Sequence, residues 1–514
     1  MSTEYLQVGD PLADLSPARR SEDESALTTT VFDVIIIGGG ITGAGIALDA
    51  ATRGLSVLVL EGQDLAFGTS RWSSKLVHGG LRYLANGQVD VAWESAVERG
   101  HLMTTIAPHL VRPLAQVVPI MNDTSFGSAV LTRAGFAAGD ALRALSRTSR
   151  HILPGAKVIS PAKTRRLLPA IDSTRLRGGL LAWDGLLEDD ARLVVAVART
   201  AAAYGARILT GHHVLSADST GVLVVNQTDE QIEVRARNVI SATGVWAETF
   251  DEEVVITPSR GTHLVLRAET LQRPRAAMTI PVPEMHGRYC FVLPRPDGLL
   301  LAGITDIDEP GPIPDVPRTP AVDIEWILGQ VSRVLQSPLN AADVVGAFTG
   351  LRPLVAPPVA LDGETADISR RHLVRRGANG VITVTGGKLT TYRRMAQDAV
   401  DLISDRPCRT TNIALVGAGP AAPAQSLPAR LIRRYGAEAA RVAALADGHP
   451  DLLEPLAPGL GVRGVRGVEL VFAVRCEGAR SVADVLERRT RLSLVPADLA
   501  AALPRAEEIL DAIT

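Results

Sequence analysis

Residues 31–61, VFDVIIIGGGITGAGIALDAATRGLSVLVLE, constrain the fold more than any other stretch of this chain. The run Val34–Ile37 is apolar at every position, as a parallel strand covered on both faces must be. Gly38, Gly40 and Gly43 follow it with the spacing G-x-G-x-x-G. Residues 44–53 read as an apolar helix ended by Gly54, and 56–60 as a second buried strand with Glu61 at its end. The spacing has a mechanical reason. The first glycine permits a tight turn, the second lets a pyrophosphate reach the backbone, and the third lets helix pack on strand. The pyrophosphate then meets the N–H groups of the first helical turn, at Ile41 and Thr42, where the helix dipole favours an anion. Glu61 lies 61 − 43 = 18 residues past the last glycine, near the roughly 20 expected of an acid that accepts from a ribose hydroxyl. Strand, glycines, helix, strand and acid in this order predict a dinucleotide site. The competing reading is a tight turn in an ordinary α/β domain.

The rest of the chain bounds what such a site is part of. With 514 residues there is room for two or three domains. A net charge of −3 gives no global basic footprint for nucleic acid. Cys290, Cys408 and Cys476 lie far apart and form no C-x-x-C, which suits a reducing cytoplasm. No charge-free apolar run reaches the roughly 18–20 residues of a membrane-spanning helix, and the polar N-terminus lacks the apolar region of a signal peptide. There is neither zinc-ligand spacing nor a Ser-His-Asp order, so no metal is expected.

Residues 1–30 mix Glu4, Asp10, Asp14, Glu22, Asp23 and Glu24 with Ser, Thr and Pro, and read as a disordered tail. After Glu61 comes GQDLAFGTSRWSSKLVHGGLRYL, too polar and glycine-rich for an immediate third strand. Its hydroxyls at Thr69, Ser70, Ser73 and Ser74, with Gly79 and Gly80, suit a loop lying along a phosphate or ribityl chain. Residues 89–112 read as a helix. Residues 131–150 alternate Leu131, Phe136, Leu142 and Leu145 with Arg133, Arg143, Arg147 and Arg150, the pattern of a helix on the core or at an anionic lipid interface. Asp189 and Asp190 open a helix as caps. Residues 207–214 and 222–234 read as strands, and 238–241 as a short apolar strand running into Ala242, Thr243 and Gly244. Residues 259–267 and 289–301 read as strands, 322–335 as a helix, and 344–349 as a strand delivering Arg352. Residues 381–385 form a strand turned by Gly386 and Gly387 into a helix near Leu389. ALVGAGPA, residues 414–421, imitates a dinucleotide turn, but Pro420 denies it a helix and it reads as a linker. From residue 427 the chain is Ala-, Arg- and Leu-rich at helical spacing.

GGGITGAG followed by TSRWSSKLVHGGLRYL closely resembles the FAD-dependent glycerol-3-phosphate dehydrogenases. The resemblance continues in order through DDARLV, ATGVW, RGTH, TD at Thr305–Asp306, LRPL, GGKLTTYR and LERRTRL, covering roughly residues 31–500. It implies an α/β fold, with an FAD-binding Rossmann-like domain interleaved with a β-sheet substrate domain and a C-terminal helical domain. The corresponding division is a tail at 1–30, the FAD domain at 31–410 with the substrate sheet at about 259–360, a linker at 411–426, and the helical domain at 427–514. Beyond the glycines and Glu61, the resemblance implies that Thr69, Ser70, Ser73, Ser74, Lys75, His78, Gly79, Gly80, Val214, Ala242, Thr243, Gly244, Gly386, Gly387, Lys388, Leu389 and Thr390 contact FAD, with Leu389 and Thr390 beside the flavin ring. In the family, a polar residue such as His usually stands where this chain has Cys476, which weakens any polar role there.

A flavin enzyme oxidising a secondary alcohol needs a C–H aimed at flavin N5, a base for the hydroxyl proton, and cations to hold a phosphate. Arginine meets phosphate with a bidentate fork. The candidates for substrate binding are Arg82, Tyr83, Thr305, Asp306, Arg352, Arg370 and Lys388, with Arg371 as an alternative to Arg370. His263 in RGTH is the expected base, with Arg352 and Lys388 as its catalytic partners and His78 as the runner-up. Asp306 is expected to orient a cation. The resulting expectation is oxidation of sn-glycerol 3-phosphate to dihydroxyacetone phosphate, electrons passing to a quinone and the protein sitting on the cytoplasmic face of the membrane; it admits a homodimer. The alternatives are a glycerol-3-phosphate oxidase using dioxygen, an amino-acid-oxidase-like flavoenzyme, and a non-catalytic flavin-binding scaffold. A cluster of cations, more than one carboxylate needs, argues against the second. Intact Lys388, Arg352 and His263 argue against the third.

Overall fold

The computed structural model describes residues 3–80, 88–123, 138–146, 148–283, 288–355, 371–419 and 427–513. Arg82, Tyr83 and Arg370 lie outside the described residues, as do 131–137, 147 and 420–426.

Two large sheets carry the fold. The first has six strands in the order His372–Arg376, Ile382–Gly386, Val239–Ser241, Val34–Ile37, Val57–Glu61 and Arg207–Thr210. All neighbours are parallel except the first pair. Val34–Ile37 is buried at all four positions because helices cover both faces of a parallel sheet. The helix Ile41–Thr52 packs its apolar residues, among them Ile46, Ala47 and Ala50, on one face with Asp190–Ala203 and Tyr392–Val400. A three-stranded antiparallel sheet, His213–Ala217, Gly221–Val225 and Gln231–Arg235, covers part of the other face.

The second sheet has ten strands. Toward one end of it, Ile256–Arg267 lies between Val344–Val355 and Leu299–Gly303, antiparallel to both. The helix Ala321–Ser332 covers its far face through Ile327, Leu328 and Val331. The C-terminal region is a set of short helices around Gly467–Cys476 and Pro496–Asp511.

Several expectations are corrected. Residues 3–30 are ordered: Ser16 caps the helix Pro17–Ser25, and Leu15 bridges to Glu477. The charges taken for a solvated tail are paired. Asp14 meets Arg199 and Arg441, Asp23 meets Arg207, and Arg19 donates to the carbonyls of Ala202 and Ala206. The helix expected over 89–112 ends at His101 in a π-turn, Leu102–Ile106, and Val111 starts a strand. Residues 222–234 and 289–301 each hold two strands around a turn. The stretch at 413–418 is buried, with Ala414 N–H donating to Glu4 and Leu415 N–H to Ile106, so this part is not a loose linker. Arg143 is buried and donates to Asp140 at 3.0 Å and to the Thr148 carbonyl at 2.7 Å, while Leu142 packs on Val91, Ala92 and Ala96. These two residues serve the core and not a lipid interface.

Candidate active site

Three glycine turns meet at the carboxyl edge of the parallel sheet. They follow the adjacent strands Val34–Ile37, Val239–Ser241 and Ile382–Gly386. This edge, where connections leave a central strand toward both sides, is where open α/β sheets bind ligands. Gly38 has φ +108°, and a Cβ there would sit 2.7 Å from the Ala242 carbonyl oxygen. Only glycine lets these two turns touch. A Cβ on Gly43 would overlap the Gly38 carbonyl, which is the close helix–strand packing the motif predicts. Gly40 N-caps the helix with no side-chain bond of its own. Instead, Ser70 Oγ lies over the helix start and accepts from Ile41 N–H at 2.9 Å. Gly244 has φ +61° and open space around it, and its carbonyl accepts from Thr385 Oγ1 at 3.0 Å. Gly386 and Gly387 have φ +76° and +66° and turn the third strand toward Lys388, Leu389 and the buried Thr390. Glu61 accepts from Gly39 N–H at 2.6 Å and from Gln63 N–H at 2.8 Å, and burial raises its carboxyl above the ordinary value. A helix start, a glycine approach and an acid on the neighbouring strand fit the diphosphate and ribose of FAD. Val214 is buried beside Leu60 and Leu209 in the core that backs Glu61.

The loop after Glu61 lies against the second sheet. Thr69 Oγ1 donates to the Leu351 carbonyl at 2.7 Å, and Trp72 stacks on Phe348 at 5.5 Å. Lys75 is fully buried. Its ammonium donates to Asp190 at 2.6 Å and to the carbonyls of Arg71 and Ser73. Burial lowers it to about 8, against the pull of Asp190. Asp190 also accepts from the Ser73 N–H and hydroxyl. Asp189 caps its helix as expected, accepting from Arg192 N–H, whereas Asp190 locks the loop, a role that sequence reasoning missed. Further on, Gly79 N–H donates to Asp184, which pairs with Arg99, and Gly80 N–H donates to His78 Nδ1 at 3.3 Å.

Register decides which of the substrate-binding candidates share a face. Cross-strand pairs Ser259↔Arg352, Gly261↔Gly350 and His263↔Phe348 alternate onto one side of the sheet. Arg352 donates to Ser259 Oγ at 3.3 Å, Asp306 Oδ1 at 3.2 Å and the Thr305 carbonyl at 3.2 Å. Its guanidinium lies over Gly261, where a Cβ would overlap it. Thr305 Oγ1 accepts from Thr262 N–H at 2.9 Å. Behind this face, Asp323 accepts from Arg260 and Thr262 and holds the strand. His263 stacks on Phe348 with ring centroids 4.8 Å apart, and its Nε2 is 2.9 Å from Ser74 Oγ. Its Nδ1 is buried without a partner. Burial first, then the charges of Lys75 and Arg352, hold the imidazole well below its ordinary value, so it is neutral at pH 7.

Lys388 lies elsewhere, donating to Ser95 Oγ at 2.8 Å. With Asp90, Val91, Glu94, Arg371, His372 and Thr391 it lines a cavity of about 200 Å³. Arg371, the alternative to Arg370, meets Asp90. No group of side chains able to hold a metal occurs among the described residues.

The family profile for FAD dependent oxidoreductases matches residues 33–393, and that for the C-terminal domain of alpha-glycerophosphate oxidase matches 408–513. Glycerol-3-phosphate dehydrogenase 1 of Mycobacterium tuberculosis is 49% identical over 512 residues, covering 97% of this chain and 98% of that protein. The mitochondrial glycerol-3-phosphate dehydrogenase of Bos taurus is 32% identical, covering 98% and 73%. The solved glycerol-3-phosphate dehydrogenase of Bacillus halodurans complexed with FAD superposes with a TM-score of 0.72 at 26% identity, covering 97% of this chain and 94% of that one. Both family profiles and relatives matched along nearly the whole chain agree: the chain belongs to the FAD-dependent glycerol-3-phosphate dehydrogenase family.

Proposed function

We propose that this enzyme oxidises sn-glycerol 3-phosphate to dihydroxyacetone phosphate and passes the electrons to a membrane quinone. The observation that carries the reading is the shared face of Arg352 and His263, a phosphate-binding cation and a neutral imidazole on one short stretch of sheet. Arg352 binds the phosphate, with Asp306 and Ser259 fixing the direction of its fork. Lys388, held by Ser95 beside a separate cavity, is given no part in this step. His263 takes the C2 hydroxyl proton at Nδ1, in the tautomer that carries its own hydrogen on Nε2, 2.9 Å from Ser74 Oγ. A neutral histidine is ready to accept that proton at pH 7. Bound FAD supplies the hydride acceptor. Contacts to FAD fall to the three glycine turns, Glu61 and the loop of Thr69, Ser70, Ser73 and Ser74.

Among the described residues no helix is long and apolar enough to cross a membrane. A quinone is then reached from the membrane surface. The test is an anaerobic titration of the purified yellow protein with glycerol 3-phosphate, followed in the visible spectrum. Stoichiometric bleaching is expected, and its absence would remove this substrate. Turnover with a quinone analogue should exceed peroxide formation in air. The reverse ratio would make the enzyme an oxidase.

A further inference from the structure

We propose that the C-terminal turn at residues 487–491 is the outer half of the FAD-binding loop's mould, and that cofactor retention depends on it. The inference rests on FAD binding, which the family match carries. The loop between Glu61 and Lys75 is gripped at both ends. At its first end, the buried Asp64 carboxylate accepts from Arg488 Nε at 2.6 Å and from Arg489 Nη1 and Nη2 at 2.8 Å each. At its second end, the buried Arg71 donates to Glu487 Oε2 at 2.7 Å, and the Arg71 carbonyl accepts from Arg491 Nη2 at 2.6 Å. Arg71 also stands over the rings of Phe67 and Trp72.

What lies between the grips is the part that meets the cofactor. Ala66 N–H donates to the Gly39 carbonyl, inside the glycine motif. Ser70, next to Arg71, is the residue over the start of the helix that receives the diphosphate. Glu61 stands three residues before Asp64. A shift at either grip therefore moves groups that must match FAD. Two arginines on one carboxylate also resist sliding, because their forks fix direction as well as distance. Ion pairs that merely join the two regions exist elsewhere and touch no part of this loop, such as Arg441–Asp14. The residues at 487–491 are positioning residues. None is placed on substrate or flavin.

The experiment follows FAD release from the holoenzyme by the rise of flavin fluorescence after dilution. The variants are Glu487→Gln, Arg489→Lys and, as control, Arg441→Gln. Glu487 is 39% exposed in its side chain, so its variant keeps the test alive if Arg489→Lys does not fold. Release from Glu487→Gln and Arg489→Lys should accelerate roughly 5- to 150-fold, the usual range of coupling between linked sites. The KM for glycerol 3-phosphate at saturating FAD should stay at the wild-type value. Release at the wild-type rate would overturn the proposal, whatever the melting temperature does. So would equal acceleration in Arg441→Gln, which would mean general loosening. A protein purified without any flavin would instead contradict the family reading on which the inference rests.

Discussion

Replacing Arg352 by Ala tests the substrate face most directly. The guanidinium is about one-fifth exposed, with a side-chain accessibility of 21%. Among the bonds that hold it are those to Ser259, Asp306 and the Thr305 carbonyl, at 3.2–3.3 Å. Bonds of this length orient the cation toward the substrate face. A charge-assisted contact to phosphate contributes about 1.5–3 kcal/mol. That corresponds to roughly ten- to over a hundredfold in kcat/KM. The upper half of the range is expected, because Asp306 then faces the phosphate without its cation, and like charges at short distance repel. Arg352→Lys keeps the charge but loses the fork, so a loss of about tenfold is expected, nearer the lower limit. The assay compares kcat/KM for glycerol 3-phosphate with that for glycerol in each variant. Glycerol has no phosphate and should be nearly indifferent to the change. Equal losses on both substrates would refute the assignment of Arg352 to the phosphate.

Two further outcomes are expected. Because the folded-state pKa of His263 is depressed below 6.5, the unfolded chain binds the extra proton first, and the stabilisation is full above pH 6.5 and lost as pH falls below it. Unfolding free energy should drop by up to about 1.4 kcal/mol per pH unit in that range from this group, and denaturant titrations of His263→Asn should show a shallower slope; an unchanged slope would mean another group governs acid unfolding. Gly261→Ala should raise KM for glycerol 3-phosphate severalfold while leaving the FAD content intact, because the atoms nearest its Cβ are those of the Arg352 guanidinium; a colourless protein would show that the glycine serves the fold and not the substrate.

What was legible in the sequence was local. The glycines at 38, 40 and 43 and the apolar strands beside them state their structure through spacing, because backbone approach and helix packing depend on residues a few positions apart. The turns at Gly244 and Gly386 were readable as strand ends for the same reason. Their convergence was not, since it depends on the order in which three parallel strands lie. Register was equally hidden. His263 and Arg352 share a face only because Ile256–Arg267 pairs with Val344–Val355, and no local pattern specifies a pairing between strands so far apart in sequence. Charge was misread where its partner was distant. Residues 3–30 look solvated until Arg199, Arg207 and Arg441 are set against Asp14 and Asp23. Arg143 looks like a lipid-facing cation until the Thr148 carbonyl and Asp140 are in place. The LERRTRL arginines were visible as a motif, but nothing in their spacing points to Asp64, more than 400 residues away.

The glycine pair at 261 and 350 explains how one small substrate can reach both ends of the site. The Ser259↔Arg352 and His263↔Phe348 rows are four residues apart on the strand, about 14 Å at ~3.4 Å per residue. That is too far for the phosphate and the C2 hydroxyl of a three-carbon molecule. Arg352 closes the distance by folding its guanidinium back over Gly261, only two residues from His263, which roughly halves the separation to about 7 Å. The fold-back requires the absence of a side chain at 261. Opposite it, a Cβ on Gly350 would sit 2.5 Å from Trp72 Cβ, so the second glycine lets the FAD-binding loop lie flat on the same patch. Cation, imidazole and loop are thus brought within one substrate's length by two missing side chains. With the proposed roles of Arg352 and His263, the sheet sets the reacting geometry, and rigid elements hold such spacings better than loops do.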